Sequence, residues 1–372
     1  MPEVWPDALP QGAIHVLVPA HDEEVSIGAT LASLRQQTLR PASITVLADN
    51  CSDHTAGAAL IEGAAIATTV GNTDHRAGAL NQYLQQNLLA MDPRHFILVL
   101  DADSTLDPRF LETAIRRMSA DPGIGAVGGV FLGNEPRSLL EQAQANEYVR
   151  FARAVARKQG RVMVLTGSAT IYRVSALLQV AEQRERRLPG RMGDSYDTAA
   201  LTEDNEITLA LKHLGWRMVS PHECTVRTEL MPTLGDLHRQ RLRWYRGAVE
   251  NLRAYGWTTV TSRYWVQQVG LLLCTLVVGL FVAITAVDLA LGLVPWSPLW
   301  IAVALLFMVE RLVTVWRNGS RRGRLVALGL LPEIAYDLFL QATFVRAAFQ
   351  VVRGVAANQL RRPQRGTRRH RT

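Results

Sequence analysis

The chain has 372 residues, 48% of them hydrophobic, and a formal net charge of +7. That length can bury a sizeable core and leaves room for more than one structural unit. Cys51, Cys224 and Cys274 are odd in number and scattered, which excludes a disulfide framework or a zinc-type spacing. The basic excess is arginine, since Lys158 and Lys212 are the only lysines, and six arginines crowd the end (Arg361, Arg362, Arg365, Arg368, Arg369, Arg371). No nucleic-acid-binding motif accompanies them, so no nucleic-acid partner is expected. Beside apolar segments such a tail reads as a cytoplasmic flank or an anionic-lipid contact. Met1–Gly12 has neither the basic nor the apolar region of a signal peptide.

From Ile14 to Gly133 short apolar runs alternate with helical patterns. Ile14–Pro19, Ser43–Ala48, Ile66–Val70, Phe96–Leu100 and Gly125–Val130 are predicted strands; Val25–Gln37, Ala77–Met91 and Pro108–Ala120 are predicted helices. This alternation implies right-handed βαβ units, hence an α/β fold with a mostly parallel sheet. A more irregular mixed segment runs to about Pro232, followed by an Arg-rich amphipathic helix, Leu234–Ala254.

The character then changes. Tyr264–Val287 carries no charge and is long enough to span a bilayer. After a Pro295-Trp296-Ser297-Pro298 turn, a second apolar run reaches Trp316, interrupted by Glu310-Arg311; two buried core helices are the alternative. Leu325–Val352 contains Pro332, Glu333, Asp337 and Arg346, with Glu333, Asp337 and Gln341 forming a polar stripe at i, i+4 spacing. Arg253 and Arg263 precede the first run, none lies in the short connection, and Arg317, Arg321, Arg322 and Arg324 follow the second. That asymmetry predicts a hairpin of two spans plus an interfacial helix, with three spans as the alternative.

Several short patterns carry chemistry. The run Phe96–Leu100 ends in Asp101-Ala102-Asp103. In extended backbone, i and i+2 face the same side, so the two carboxylates can converge as hard ligands for Mg²⁺ or Mn²⁺. The competing reading is a turn whose Asp caps the next helix. Thr202-Glu203-Asp204 opens a helix, Asn205–Leu214; it reads either as a rigidly held carboxylate base or as an N-cap, Thr202, with acids complementing the dipole. Gln240, Arg243 and Trp244 lie at i, i+3 and i+4, so an amide, a cation and an indole share one helix face. That face suits a diphosphate and a sugar ring. A helix resting on a membrane would explain Arg239, Arg241 and Arg246 instead.

Taken in order, these motifs resemble the family 2 glycosyltransferases, in particular the membrane branch with cellulose, chitin and hyaluronan synthases and ceramide glucosyltransferases. The resemblance covers about Ile14–Ala254. It includes Val16–Glu24, similar to the family's first-strand signature, and Leu47–Thr55, similar to its D-D-x-S-x-D-x-T loop with Ala48 in place of the first Asp. His75–Asn81 is similar to K-x-G-x-L-N, with Arg76 for lysine, and Leu165–Ala169 to the Gly-Ser segment near the acceptor. The resemblance implies a GT-A, Rossmann-like nucleotide-sugar-binding domain over residues 1–256, cytosolic. A C-terminal helical membrane module would occupy 257–360 (spans about 265–288 and 297–316, a further helix about 325–352), then the tail, 361–372. It implies Asp204 as catalytic base, Asp101 and Asp103 as ligands of Mg²⁺ or Mn²⁺, and Asp49, Arg76, Asp101, Gln240, Arg243 and Trp244 on the donor side. Gly167, Ser168, Glu203 and Trp244 would face the acceptor. Asp49 stands where the family recognises the nucleoside, while Asp53 reads as a turn residue capping a helix. The implied activity is inverting, metal-dependent transfer from a nucleotide-sugar, a UDP-sugar by resemblance, to a saccharide or lipid acceptor at the plasma membrane. A non-catalytic membrane scaffold and a nucleotidyltransferase are the alternatives.

Overall fold

A computed structural model of the chain describes residues 13–293, 298–329 and 331–354. The expectations for Met1–Gly12, the Pro295–Ser297 turn and the basic tail lie outside the described residues. The first half runs β1 (Ile14–Ala20), α1 (Ile27–Arg35), β2 (Ser43–Ala48), α2 (Thr55–Ile61), β3 (Ala65–Thr68), α3 (His75–Asn87), β4 (Phe96–Leu100), β5 (Thr105–Leu106), α4 (Phe110–Ala120), β6 (Ile124–Gly128) and β7 (Val130–Gly133). Then come α5 (Leu139–Arg157), β8 (Ala169–Arg173), α6 (Val174–Gln183), α7 (Glu203–His213), β9 (Arg217–Val219) and β10 (Thr225–Thr228). The last part is helical: α8 (Leu234–Tyr255), α9 (Ser262–Ala290), α10 (Pro298–Asn318), α11 (Arg321–Leu328) and α12 (Leu331–Val352).

The main sheet has seven strands in the order β3-β2-β1-β4-β8-β6-β9. Its β1, β2, β3 and β4 pair in parallel, as expected, and so do β6 and β9. β8 runs antiparallel to both β4 and β6, which makes the sheet mixed. Alternate residues of the central strands feed two cores. Val16, Val18, Leu98 and Leu100 pack with Ile27 and Leu31 of α1 and Phe110 and Ile115 of α4. Leu17, Ile97 and Val99 pack with Leu80 and Leu84 of α3, Leu177 of α6 and Ile207 of α7. Both faces of β4 are therefore covered, and all five of its residues are buried. That is why it reads as an unbroken apolar run rather than an alternation.

The predicted strand Gly125–Val130 is two strands in different sheets. β7 leaves the main sheet to join β10, which also pairs with β5. The chain switches sheets at Gly129, where a Cβ would come within 2.9 Å of Val226 and 3.2 Å of the Ala169 carbonyl. The segment read as irregular contains α5, a 19-residue helix.

Among the described residues one helix, α9, is long and apolar enough to cross a membrane, with mean hydropathy 2.6 and 0% of that window buried. The predicted helix Leu325–Val352 is instead part of two helices, α11 and α12, bent by 82°. The polar stripe of α12 turns inward. Asn146 donates to Glu333 Oε1 (2.9 Å), Arg150 to Glu333 Oε2 (2.8 Å), and Arg311 of α10 to Asp337 (2.5 Å). The helix after Gly329 is thereby joined to α5 of the α/β domain, not set apart from it.

Candidate active site

β1, β2 and β4 end at one edge of the sheet, the place where open α/β folds bind ligands. Their loops wall a cleft of about 670 Å³ lined by Glu23, Asp49, Asn50, Asn72, Arg76, Asp101 and Asp103, among others. No helix follows Asp101-Ala102-Asp103; β5 does, and Asp107 makes the turn before α4 by accepting from the Arg109 amide (2.9 Å). The helix-cap reading of Asp101 and Asp103 therefore fails. The Asp101 amide is anchored on the Ser168 carbonyl (2.9 Å), and Asp103 Oδ1 accepts from Ser104 Oγ (3.0 Å).

Burial pushes the Asp101 carboxyl up to about 6; neighbouring Asp103 and Glu203 add to this, while Arg76 and Arg243 oppose it. Asp103 is raised too, by burial and by Glu229. Glu23, raised chiefly by burial, feels both aspartates. Hard oxygen donors crowded with like charge on a cleft wall are what a divalent cation relieves, so these residues fit Mg²⁺ or Mn²⁺.

Asp49 is buried, and its Oδ1 accepts from Thr69 Oγ1 (2.7 Å), Asn72 Nδ2 (2.8 Å) and Asn50 Nδ2 (3.0 Å). Three donors on one oxygen fix the carboxylate rigidly at the far end of the cleft. Asp53 keeps its turn role, accepting from the Thr55 amide at 2.9 Å. Gly78 has a steric reason: a Cβ there would sit 2.0 Å from Asn72 Oδ1, in the turn that starts α3.

Arg76 is the junction of the site. Its guanidinium pairs with Asp101 (2.9 Å) and Glu203 (2.7 Å) and donates to the Gly167 carbonyl (2.7 Å). Burial works against its charge, but Asp101 and Glu203 outweigh that and hold it protonated. Asn81 of the same motif acts elsewhere: it exchanges two hydrogen bonds with the backbone of Tyr196, at 2.7 and 2.9 Å, fixing the loop before α7.

Glu203 and Asp204 form the first turn of α7. Burial raises Glu203, but Arg76 and Arg243 overcome that and keep it lowered. Asp204 goes the other way, to about 6, through burial and the charge of Glu203. Its carboxylate faces Gly167, where a Cβ would lie 3.2 Å from Asp204 Oδ2. Gly167 thus leaves the open wall beside Asp204, and Ser168 holds the Asp101 end through its carbonyl. Thr202 stands at the N-cap position but makes no side-chain cap. Instead it meets α8: Asn251 Nδ2 donates to the Thr202 carbonyl (3.1 Å) and hydroxyl (3.3 Å), and a Cβ on Gly247 would be 2.4 Å from Thr202 Oγ1.

That contact brings the Gln240-Arg243-Trp244 helix to the site. Arg243 lies near enough to stabilise the ionised forms of Asp101, Glu203 and Asp204. Gln240 Oε1 is buried without a hydrogen-bond partner. Trp244 stacks under Arg241, 4.3 Å from its ring centroid. The membrane-resting reading of Arg241 and Arg246 is corrected: both are buried, Arg241 on Glu147 (2.8 Å) and Arg246 on Glu250 (2.6 Å), and only Arg239 is exposed. Sequence reasoning passed over Glu23, Asn72, Gly247 and Asn251. The last two were findable, since 243, 247 and 251 fall on one helical stripe.

The fold and the site define a GT-A-like α/β protein. The mannosyltransferase PcManGT of Pyrobaculum calidifontis, solved with GDP-Man and Mn²⁺, shares the fold: TM-score 0.55, 18% identity, 94% of this chain and 91% of that one. Residues 10–247 match the family described as glycosyltransferase like family 2, and the chain belongs to that family. The poly-beta-1,6-N-acetyl-D-glucosamine synthase of Staphylococcus aureus (strain COL) is 28% identical over 261 residues, 68% of this chain and 58% of that protein. The synthase of the same name from Staphylococcus epidermidis is 24% identical over 263 residues, 67% and 58%. The chain spans less than two thirds of the length of these relatives.

Proposed function

We propose that this chain is an inverting glycosyltransferase that moves a sugar from a nucleotide-sugar to a saccharide acceptor at a membrane. The observation that carries the reading is Arg76, which joins Asp101 at 2.9 Å to Glu203 at 2.7 Å and so sets a diphosphate end and a base end in one cleft. The nucleoside would lie against Asp49. Asp101 and Asp103 would hold the divalent ion, whose chemistry is to neutralise charge on the departing diphosphate. Arg243 and Arg76 add fixed positive charge to that end. Asp204, adjacent to Glu203 and facing the open wall at Gly167, takes the proton from the acceptor hydroxyl as that oxygen attacks the anomeric carbon from the side opposite the leaving group. An α-linked donor then gives a β-linked product.

The polysaccharide synthases among the relatives support a saccharide acceptor, and the exposed apolar surface of α9 supports a membrane setting. The test is to incubate membranes with labelled nucleotide-sugars and Mn²⁺ and to extract polymer and lipid separately. Label in polymer is the expected result. Label confined to the lipid extract would move the acceptor to a lipid. Pyrophosphate release from a nucleoside triphosphate and a sugar phosphate would favour the nucleotidyltransferase, and binding without transfer the scaffold; either would overturn the proposal.

A further inference from the structure

α8 ends at Tyr255, Gly256 adopts φ +68°, and α9 begins at Ser262. The corner is closed by Thr261, whose hydroxyl donates to the Gly256 carbonyl (2.8 Å) and accepts from the Thr258 amide (2.8 Å). Trp257 is left 72% exposed at its tip. Arg253, Gly256, Trp257 and Trp265 wall an open hollow of about 410 Å³. Arg253 is the arginine on its wall; it also touches the Val351 carbonyl (3.5 Å), two residues before Arg353, and Arg263 stands at the start of α9. Arg263 lies on the ring of Tyr264 (5.3 Å) and Arg353 on that of Phe349 (4.1 Å). None of the three has a carboxylate partner within 4.0 Å among the described residues.

We propose that this hollow binds the phosphate headgroup of an anionic glycerophospholipid; the proposal rests on reading α9 as a membrane helix. The phosphodiester would engage the planar fork of Arg253. Trp257 and Trp265 present indoles at the level where such rings partition, between headgroup and chain. The acyl chains would run along α9, none of whose apolar window is covered by protein. Charge complementarity selects an anionic over a zwitterionic lipid, since the wall of the hollow offers the Arg253 cation and no carboxylate.

The hollow is also tied to the catalytic helix. Tyr264, in the first turn of α9, donates to the Met163 carbonyl (2.5 Å). Lys212 of α7 donates to the same carbonyl (2.7 Å) and to the Tyr264 hydroxyl. Met163 leads into Gly167 beside Asp204. A lipid that steadies the first turn of α9 therefore steadies the acceptor wall.

The test uses the full chain in detergent, titrated with short-chain phosphatidylglycerol, phosphatidylcholine or inorganic phosphate and followed by native mass spectrometry and thermal shift. Phosphatidylglycerol should bind at least about fivefold more tightly than phosphatidylcholine, inorganic phosphate should give no shift, and Arg253→Gln should erase about fivefold of the preference. Equal binding of the two lipids, a preference untouched by both Arg253→Gln and Trp257→Ala, or full competition by inorganic phosphate would overturn the proposal. Carbonate extraction of membranes separates the two ideas. A chain that stays in the pellet yet shows no lipid preference loses the site alone. A chain released to the supernatant loses the membrane reading.

Discussion

Adjacent carboxylates at the start of α7 have opposite electrostatics. Glu203 is held ionised by Arg76 and Arg243, which makes it a fixed charge rather than a proton acceptor. Asp204, raised to about 6 by burial and by Glu203, is suited to take a proton near neutrality. Asp204→Asn should leave donor binding near normal while lowering kcat by about 10² to 10⁴; near-normal turnover would shift the base to Glu203. The sign for pH follows. Asp204 is ionised above about 6, so kcat/KM should fall as pH drops through that value. Asp101 is raised to the same region without metal, but a bound divalent ion would hold it ionised. An acid limb that stays in place at saturating Mn²⁺ therefore belongs to Asp204, whereas one that moves down with added Mn²⁺ belongs to Asp101. Asp103→Ala should abolish metal-dependent nucleotide binding, measured by calorimetry with and without EDTA; tight UDP binding in EDTA would remove the metal from the mechanism. The pairing of Asp101 with Asp103 was legible from the strand end, while the role of Asp204 came from the family resemblance. The bridging of Asp101 and Glu203 by Arg76 was not, since it joins residues 127 positions apart.

At the level of elements, the site depends on how α8 lies on α7. Arg243, Gly247 and Asn251 form one stripe, and the last two meet Thr202, immediately before Glu203 and Asp204. Register between the helices thus sets where Arg243 stands relative to Asp204. Gly247→Ala would put a methyl group 2.4 Å from Thr202 Oγ1 and 2.7 Å from its Cγ2. Overpacking of this kind costs about 1–3 kcal/mol. We expect kcat to fall with little change in donor KM, and Thr202→Ala added to Gly247→Ala to recover part of it by removing both clashing atoms. A single variant with wild-type kcat would show that this register does not matter. The same scale explains what the sequence hid. β4 announced itself because both faces are buried. β8, equally five residues long, did not, because Ala169–Arg173 carries Thr170 and Arg173 instead of an apolar run and its place between β4 and β6 is set by pairing, not pattern. α5 was masked by the polar residues Gln142, Gln144 and Asn146, which are buried and bind other helices and loops rather than solvent.

For the whole molecule, the C-terminal helices are tied to the α/β domain through α5 and α8. Glu333 is fully buried, yet it sits against Asn146 and Arg150 of α5 rather than in an apolar surround. Removing one partner of such a pair costs about 3–5 kcal/mol. Glu333→Ala should therefore lower the thermal midpoint of the whole protein, while Glu310→Ala, whose side chain is 55% exposed, should not. Equal midpoints would detach α12 from the fold. The inward stripe also bears on topology. A crossing by α12 would carry Glu333 and Asp337 into the bilayer, where each charge costs about 2.5–3.5 kcal/mol unless it faces protein. Facing α5 and Arg311 removes part of that penalty, so charge alone does not decide between two crossings and three. α12 packs along α8, which carries Arg243 into the cleft, so we expect it to lie on the same side of a membrane as the cleft. With the native cysteines replaced, Ala290→Cys at the end of α9 should react with an impermeant thiol reagent from outside intact cells, and Gly354→Cys after α12 should not. Labelling of Gly354→Cys from outside would mean an odd number of crossings, either α9 alone or a broken span of α11 and α12 added to α9 and α10.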